Sequence, residues 1–205
     1  MANKLSWREK KIWLARGKPI IDGLFTGTCP FYQIQFAFNE NRLLISQNYQ
    51  QELRIHVCDY PCPFSVVSGV SSFGSRLECG RPEIHIFLPE LERLILSIKA
   101  IKVAKPEHTE SMISSLIMIG FMHETDHFAL SMAGNTPIEE MIEWEIAVNA
   151  RTCQNTIVPL YENCQQCLAS GEAFHYKEWV NGGRDVNSLL WRKHITNMYS
   201  TFRLV

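Results

Sequence analysis

The chain has no long run of charge of either sign and no long apolar run. Among its 205 residues, 20 are basic and 21 are acidic, which gives a formal net charge of −1. No basic surface of the kind that binds DNA or RNA is therefore expected. The longest apolar run, Leu116 to Met122, is far too short to span a bilayer, which takes about 20 apolar residues. The sequence argues against a nucleic-acid partner and against a membrane partner.

The cysteines do not follow a disulfide or zinc-finger pattern. Their number, seven, is odd and their spacing is irregular. Two sets have part of the spacing of a structural zinc site: Cys153 with Cys164 and Cys167, and Cys29 with Cys58, Cys62 and Cys79. Neither set contains two closely spaced pairs, so buried, reduced thiols are the favoured interpretation.

The beginning of the chain also lacks an apolar core. Residues 1–17 are polar and basic, whereas a secretory signal contains an apolar segment of about 7–15 residues. We therefore expect no secretory signal. Together with the reduced thiols, this indicates a cytoplasmic protein.

The composition is that of a globular protein with a sizeable core. An apolar fraction of 46% with 20% charged residues is ordinary for such proteins. The length predicts a single domain spanning residues 1–205, which does not need a metal merely to hold it together. The sequence contains no internal repeat, no phosphate-binding glycine loop and no Gly-x-Ser-x-Gly motif.

The first part of the chain, residues 20–88, is predicted to be rich in strands. Apolar residues that alternate with polar ones predict strands at residues 32–38, 43–46, 53–57 and 84–88, with a further apolar stretch at 64–70. A short helix is expected before them at residues 7–16, ended by Gly17 and Pro19. These segments predict a small, mostly antiparallel sheet.

Residues 90–205 are predicted to be helical, because the spacing of apolar residues changes after Pro89. The expected helices run from Leu91 to before Pro106, from Thr109 or Ser111 to Gly134, from Thr136-Pro137 to about Cys153, and onward from Asp185. Strands followed by helices predict an α+β fold, in which the N-terminal sheet packs on the helical C-terminal half.

The second of these helices carries the motif His123-Glu124-Thr125-Asp126-His127. Two histidines four residues apart lie on the same face of a helix, one turn apart. Both imidazoles can then bind one metal ion, and the glutamate beside the first can reach a water molecule at that metal. The motif therefore predicts a zinc (Zn²⁺) site with His123 and His127 as ligands and Glu124 as the general base.

The segment around the motif, residues 112–133, is apolar nearly all round. Such a helix is expected to be central and buried. Histidines and a glutamate are costly to bury without partners, and a bound metal ion is one such partner. The alternative is that His123 and His127 are ordinary core histidines and that the motif is a coincidence.

A catalytic zinc site needs a third protein ligand, and four glutamates follow on the next helix: Glu139, Glu140, Glu143 and Glu145. At about 100° per residue, Glu145 falls in line with the apolar stripe of that helix, formed by Ile138, Met141, Ile142, Val148 and Thr152. The other three project elsewhere. An acid in a buried stripe needs a cation, so Glu145 is the favoured third ligand and Glu143 the second choice. The alternative for Glu145 is an edge position that reaches solvent or a basic side chain.

His123-Glu124-x-x-His127 followed by Glu145 resembles the gluzincin type of zinc metallopeptidase, the thermolysin-like architecture. The resemblance covers roughly residues 83–153 and implies a zincin-like domain that hydrolyses peptide bonds. Members often carry an aspartate four residues after the third ligand, and this aspartate hydrogen-bonds a ligand histidine. This chain has Asn149 at that position, whose amide can still accept from an imidazole N–H. The interval between the second histidine and Glu145 is also slightly shorter than in thermolysin. The metzincin type does not fit, because Leu130 and Ala133 occupy the positions of its glycine and third histidine.

The resemblance also implies further functional residues. Transition-state groups are expected after the glutamate helix, where Tyr161, His175 and Tyr176 lie, and His175 and Tyr176 are the predicted catalytic partners of Glu124. An edge strand before the active-site helix binds extended peptide in such enzymes, and residues 83–88 are the matching candidate. Residues 189–205 are a candidate segment for blocking the cleft in a latent form.

Other functions stay open beside that of a peptidase with a peptide or protein substrate. A catalytically silent zinc-binding protein of the same fold would act as an interaction or regulatory module, although it would have no use for Glu124. A zinc hydrolase of a non-peptide amide is the other possibility. Peptide deformylase shares the histidine motif, but its accompanying Gly-x-Gly signature is not found.

Overall fold

The computed structural model describes residues 11, 13–63, 72–100, 106–131 and 137–163. In chain order, the elements are α1 (Lys18–Thr26), α2 (Tyr32–Tyr49), β1 (Arg54–Cys58), β2 (Phe73–Glu78), β3 (Arg81–Phe87), α3 (Leu88–Ala100), α4 (Pro106–Ala129), α5 (Ile138–Thr152) and α6 (Val158–Asn163). A π-helical turn precedes α1 at Trp13–Gly17, and a second one joins α5 to α6 at Cys153–Ile157. The described part of the chain is thus α+β, as predicted, with mostly helical content.

Helix α2 occupies the region where two strands were predicted, at residues 32–38 and 43–46, and both predictions are wrong. Its buried residues are Ile34, Ala37, Phe38, Asn41 and Ile45, which follow the 3.6-residue period of a helix. Two apolar residues of the supposed strand, Tyr32 and Phe36, are 81% and 64% exposed. The alternation at 32–38 misled because Ile34 and Phe38 fit both periods.

The predicted stop at Gly17 and Pro19 is also wrong. Helical structure continues through the π-helical turn and into α1, where Pro19 lies in the first turn. A proline is tolerated there because the first N–H groups of a helix have no partner within the helix. Residues 7–10 of the predicted N-terminal helix lie outside the described residues.

The sheet has three strands in the order β1-β3-β2. Strands β2 and β3 form an antiparallel hairpin through a two-residue turn, Cys79-Gly80, in which both residues have positive φ. Strand β1 pairs with β3 in parallel, so the sheet is mixed and the mostly antiparallel expectation is wrong. The predicted strands at 53–57 and 84–88 are confirmed, whereas residues 64–70 lie outside the described residues.

Strand β3 lies in the middle of this sheet, between β1 and β2. Residues 83–88 therefore do not form the expected edge strand, because both sides of β3 are used for pairing. Among the described strands, the two edges are β1 and β2. In the described sheet, a peptide can add as a further strand only to one of these two.

The helices of the second half agree with the predicted periodicity, with shifted ends. Helix α3 begins at Leu88, and α4 begins at Pro106 rather than at a cap on Thr109 or Ser111. Helix α4 ends at Ala129, before the predicted Gly134. Pro137 takes the N-cap position of α5. The helix predicted from Asp185 lies outside the described residues.

Helix α4 is the centre of the core. Its buried residues cover most of its circumference, and they include Ile113, Ile117, Phe121, Met122 and Phe128. The Phe121 ring packs near the rings of Phe25 and Phe38, at centroid distances of 6.4 and 6.0 Å, and so joins α4 to α1 and α2. Within the described residues, no helix has the length and apolarity required to cross a membrane.

Candidate metal centre

Helix α4 brings His123 and His127 together, one turn apart. Their Nε2 atoms lie 3.0 Å from each other, and the two rings meet edge to face. Both side chains are partly buried. Trp144 of α5 packs edge-on against the His127 ring at a centroid distance of 4.7 Å and donates its indole N–H to the Leu130 carbonyl. The Nε2 atoms of the two histidines therefore lie next to each other, beside α5.

Glu145 of α5 completes the group. Glu145 is only 5% exposed. Its carboxylate oxygen Oε1 lies 3.6 Å from His123 Nε2, and Oε2 lies 3.5 Å from His127 Nε2. The glutamates set aside from the helical geometry, Glu139, Glu140 and Glu143, are all exposed. The structure thus brings the favoured third ligand, and not the second choice, to the histidine pair.

The separations between these atoms fit a tetrahedral metal site. One ligand atom from each of His123, His127 and Glu145 can be chosen so that all three lie within 4.8 Å of one another. In a tetrahedral zinc site with metal–ligand distances of about 2.0–2.1 Å, two ligand atoms lie about 3.3–3.4 Å apart. The closest pairs here, at 3.0, 3.5 and 3.6 Å, bracket that value. The group can therefore hold a metal ion with small adjustments of the side chains.

The electrostatics of the histidine pair also suit a metal. Burial is the main cause that lowers the pKa of both His123 and His127 below the ordinary 6.5. The neighbouring charge of His127 lowers the pKa of His123 further, while Glu145 acts in the opposite direction on both. Neutral imidazoles carry the free lone pair that a metal requires, so little proton release is needed at neutral pH.

Asn149 does not take the role suggested by the resemblance. Its side-chain N–H groups donate to Glu145, at 2.9 Å to the carboxylate oxygen Oε1 and 2.8 Å to the backbone carbonyl. Asn149 therefore orients the glutamate rather than an imidazole.

Thr152 contacts the ring nitrogen of His123 that faces away from His127. His123 Nδ1 lies 3.3 Å from the Thr152 hydroxyl. That hydroxyl lies 2.7 Å from Asp126 Oδ2 and 3.0 Å from the Val148 carbonyl. Asp126 is fully buried and lies on the same helix as His123. A buried carboxylate is therefore connected to the histidine through a threonine.

Glu124, the predicted general base, is buried against strand β2. Burial is the largest effect on its carboxyl group and raises the pKa above the ordinary 4.5. The charge of His123 and hydrogen bonds from the hydroxyl and backbone N–H of Ser75 act in the opposite direction. Ser75 thus holds the carboxyl group of Glu124 beside the histidines.

The backbone N–H of Ser75 can reach Glu124 because it points away from β3. The Ser72 carbonyl points toward β3, where it accepts a hydrogen bond from the N–H of Phe87. Successive peptide groups of a strand point to alternate sides. The peptide groups of Phe73 and Ser75 therefore lie on the free edge of β2, and Glu124 occupies that edge at Ser75.

Gly120 allows helix α4 to approach β2 this closely. A Cβ atom at Gly120 would lie 2.5 Å from Phe73 Cδ2. Gly120 and Glu124 are one helical turn apart, about 6 Å, and Phe73 and Ser75 are two strand residues apart, about 6.6 Å. The two pairs match in spacing, so Gly120 meets Phe73 and Glu124 meets Ser75.

Some expected residues are not placed by the structure. His175 and Tyr176 lie outside the described residues, as do residues 189–205, and of Tyr161 only the backbone position in α6 is described. In contrast, the sequence did not single out Ser75 or Asp126 as contacts of the motif. Thr152 carried a weak signal, because it shares the apolar stripe with Glu145, seven residues earlier.

The described cysteines do not add a second metal group. Cys58 and Cys62 are buried beside Phe87, and burial is the main cause that raises the pKa of the Cys58 thiol above 9.0. Cys29, Cys58, Cys62, Cys79 and Cys153 form no disulfide. Within the described ranges, His123, His127 and Glu145 are the one group of three close metal-type side chains.

Comparisons with known proteins do not assign the chain to a family. No protein-family model, no curated protein and no solved structure matches it. The chemistry of this site therefore rests on its own geometry.

Proposed function

We propose that this chain is a zinc-dependent metallopeptidase with the gluzincin arrangement of ligands. The observation that carries the proposal is the joint placement of four side chains. Ligand atoms of His123, His127 and Glu145 lie within 4.8 Å of one another, and Glu124 is buried next to them with its carboxyl group held by Ser75. Two histidines and one glutamate are the ligand set of hydrolytic zinc sites that keep a fourth position open.

When bound at this site, a zinc ion lowers the pKa of a water molecule and polarises the substrate carbonyl. Glu124 takes a proton from the attacking water as general base and passes it to the departing amine as general acid. The raised pKa of its buried carboxyl group suits this double role, because the group must both accept and release the proton. Tyr161, His175 and Tyr176 stay predictions for the groups that stabilise the transition state.

A peptide substrate fits the free edge of β2 better than the strand first expected. Strand β3 is paired on both sides, whereas β2 is paired with β3 alone among the described strands. The exposed residues of this strand, 76–78, directly follow Ser75, which contacts Glu124. An extended peptide added to β2 would therefore pass next to the general base.

A cytoplasmic location belongs to the same proposal. The described cysteines carry no disulfide, which agrees with a reducing compartment.

Metal content of the purified chain tests the ligand set. After loading with zinc and dialysis, wild type is expected to retain about one zinc per chain, and His127→Ala and Glu145→Ala are expected to lose it. Glu143→Ala is the matched control, because Glu143 is an exposed glutamate on the same helix and its loss should leave the zinc in place. Zinc retained in Glu145→Ala would remove Glu145 as a ligand, and no zinc in wild type would end the proposal.

Cleavage of a diverse set of quenched fluorescent peptides tests the activity. Glu124→Gln keeps the shape of the side chain and should keep the zinc, but its turnover should fall about 10²–10⁴-fold, the usual contribution of a general base. Wild type that holds zinc and cleaves no peptide would favour the silent zinc-binding protein. Cleavage of non-peptide amides alone, in a parallel assay, would favour the other hydrolase.

A further inference from the structure

We propose that Thr152 and Asp126 position His123 by fixing which of its two ring nitrogens carries the proton. The proposal rests on the metal site proposed above, but it concerns the hydrogen bonds behind that site. Thr152 and Asp126 would act through His123 and would not touch the substrate. They are therefore positioning residues.

The two nitrogens of the His123 ring face different surroundings. Nε2 lies toward His127 Nε2, 3.0 Å away, and toward the Glu145 carboxylate. Nδ1 lies toward the Thr152 hydroxyl, 3.3 Å away. A neutral imidazole carries one proton, on one nitrogen or the other. Nε2 can bind a metal only if that proton is on Nδ1.

The Thr152 hydroxyl decides between the two forms. A hydroxyl has one proton to donate, and both other neighbours of this hydroxyl, Asp126 Oδ2 at 2.7 Å and the Val148 carbonyl at 3.0 Å, are acceptors. Whichever of them takes the proton, Thr152 can only accept from His123. The proton of the imidazole is therefore held on Nδ1, and the lone pair of Nε2 points toward His127 and Glu145.

Donors on two other helices hold Asp126 in place. Its Oδ1 accepts from Asn41 of α2 at 2.8 Å and from the Arg151 guanidinium of α5 at 3.1 Å. Asn41 and Asp126 are both fully buried, and Asn41 also accepts from Arg151 at 2.8 Å. A buried carboxylate needs such partners. Because Oδ1 is occupied by these donors, Oδ2 stays directed at Thr152.

The consequence is a preorganised metal ligand. Hydrogen-bond partners behind a ligating histidine fix its orientation and proton, and their removal typically costs about 10–100-fold in metal affinity. Thr152→Val removes the hydroxyl at nearly constant volume, whereas Thr152→Ser keeps it. Thr156→Val is the matched control, since Thr156 is fully buried one turn further along and its hydroxyl has no hydrogen-bond partner among the described residues.

Two measurements test the inference. In zinc-free protein labelled with ¹⁵N-histidine, wild type, Thr152→Ser and Thr156→Val should show His123 protonated on Nδ1, and Thr152→Val should lose that preference. In chelator competition, the Kd for zinc should rise about 10–100-fold in Thr152→Val and stay near wild type in the other two variants.

Several results would overturn the inference. One such result is a wild-type His123 that is protonated on Nε2. Another is a Thr152→Val variant that keeps the proton on Nδ1 and binds zinc as tightly as Thr156→Val. If Thr152→Val does not fold, an altered proton position in Thr152→Ser decides against it. If wild type binds no zinc but shows the expected proton position, the proposed function is wrong, whereas the inference about Thr152 and Asp126 is retained.

Discussion

Replacing Gly120 with alanine should separate helix α4 from strand β2 at the point where Glu124 is held. The new methyl carbon would lie 2.5 and 2.8 Å from Phe73 Cδ2 and Cε2. The closer approach is about 1 Å short of the distance at which ordinary contact between carbon atoms begins. Phe73 is 5% exposed, so its ring has little free space into which it can turn.

The expected cost follows from two opposing effects. Overpacking of a core costs about 1–3 kcal/mol, whereas alanine in place of glycine favours a helix by about 1 kcal/mol. Gly23 in α1 offers a matched control, because a Cβ there would lie 3.6 Å from its nearest neighbour, an ordinary contact. The helix term is similar in both substitutions. The difference in the free energy of unfolding between Gly23→Ala and Gly120→Ala should therefore be about 1–3 kcal/mol, with Gly120→Ala the less stable.

Equilibrium unfolding in urea measures this difference. Zinc content and peptide cleavage of the same two variants then separate packing from function. Zinc should remain in both, because the metal ligands lie on α4 and α5 and not on β2. Turnover should fall only in Gly120→Ala, up to about 10²-fold for a displacement near 1 Å. Equal stability and equal turnover of the two variants would refute the close packing of α4 on β2 as the reason for Gly120.

Two further predictions concern the ligands themselves. Because burial lowers the pKa of His123 and His127 below 6.5, the unfolded chain binds these protons more readily, and the free energy of unfolding of the zinc-free protein should fall as the pH decreases through about 6.5. Urea unfolding at several pH values tests this, and a His127→Gln variant with an unchanged slope would contradict it. Asn149→Asp should weaken zinc binding, because it replaces the donor 2.9 Å from Glu145 Oε1 with a second carboxylate. Chelator competition at neutral pH, with Asn149→Ala for comparison, measures the affinity for zinc. Tighter zinc binding by Asn149→Asp than by wild type would contradict the reasoning.

The helix that carries the motif and the third ligand were accessible from the sequence. On a long helix, burial repeats every 3.6 residues, so the position of Glu145 among apolar residues located it on the buried side of α5. Helix α2 was not accessible in the same way. Ile34 and Phe38 fit both a strand and a helix, and only the burial of Asn41 and Ile45 in three dimensions decides between the two.

Contacts between distant segments were also beyond the sequence. The parallel pairing of β1 with β3 depends on which strands meet, and alternation within one strand does not determine its neighbours. The same holds for Ser75 beside Glu124 and for Asn41 beside Asp126, which are 49 and 85 residues apart in the chain. The sequence could identify the chemical groups of the site, but not the residues that hold them in place.

Trp144 is a fluorescent side chain that lies directly beside the candidate metal centre. The indole ring stands edge-on to the His127 imidazole and is tied by its N–H to the Leu130 carbonyl, so it cannot turn away without losing a hydrogen bond. Indole fluorescence responds to charge and to adjacent rings. A change in what His127 binds is therefore expected to change the fluorescence of Trp144, which directly precedes Glu145 in the chain.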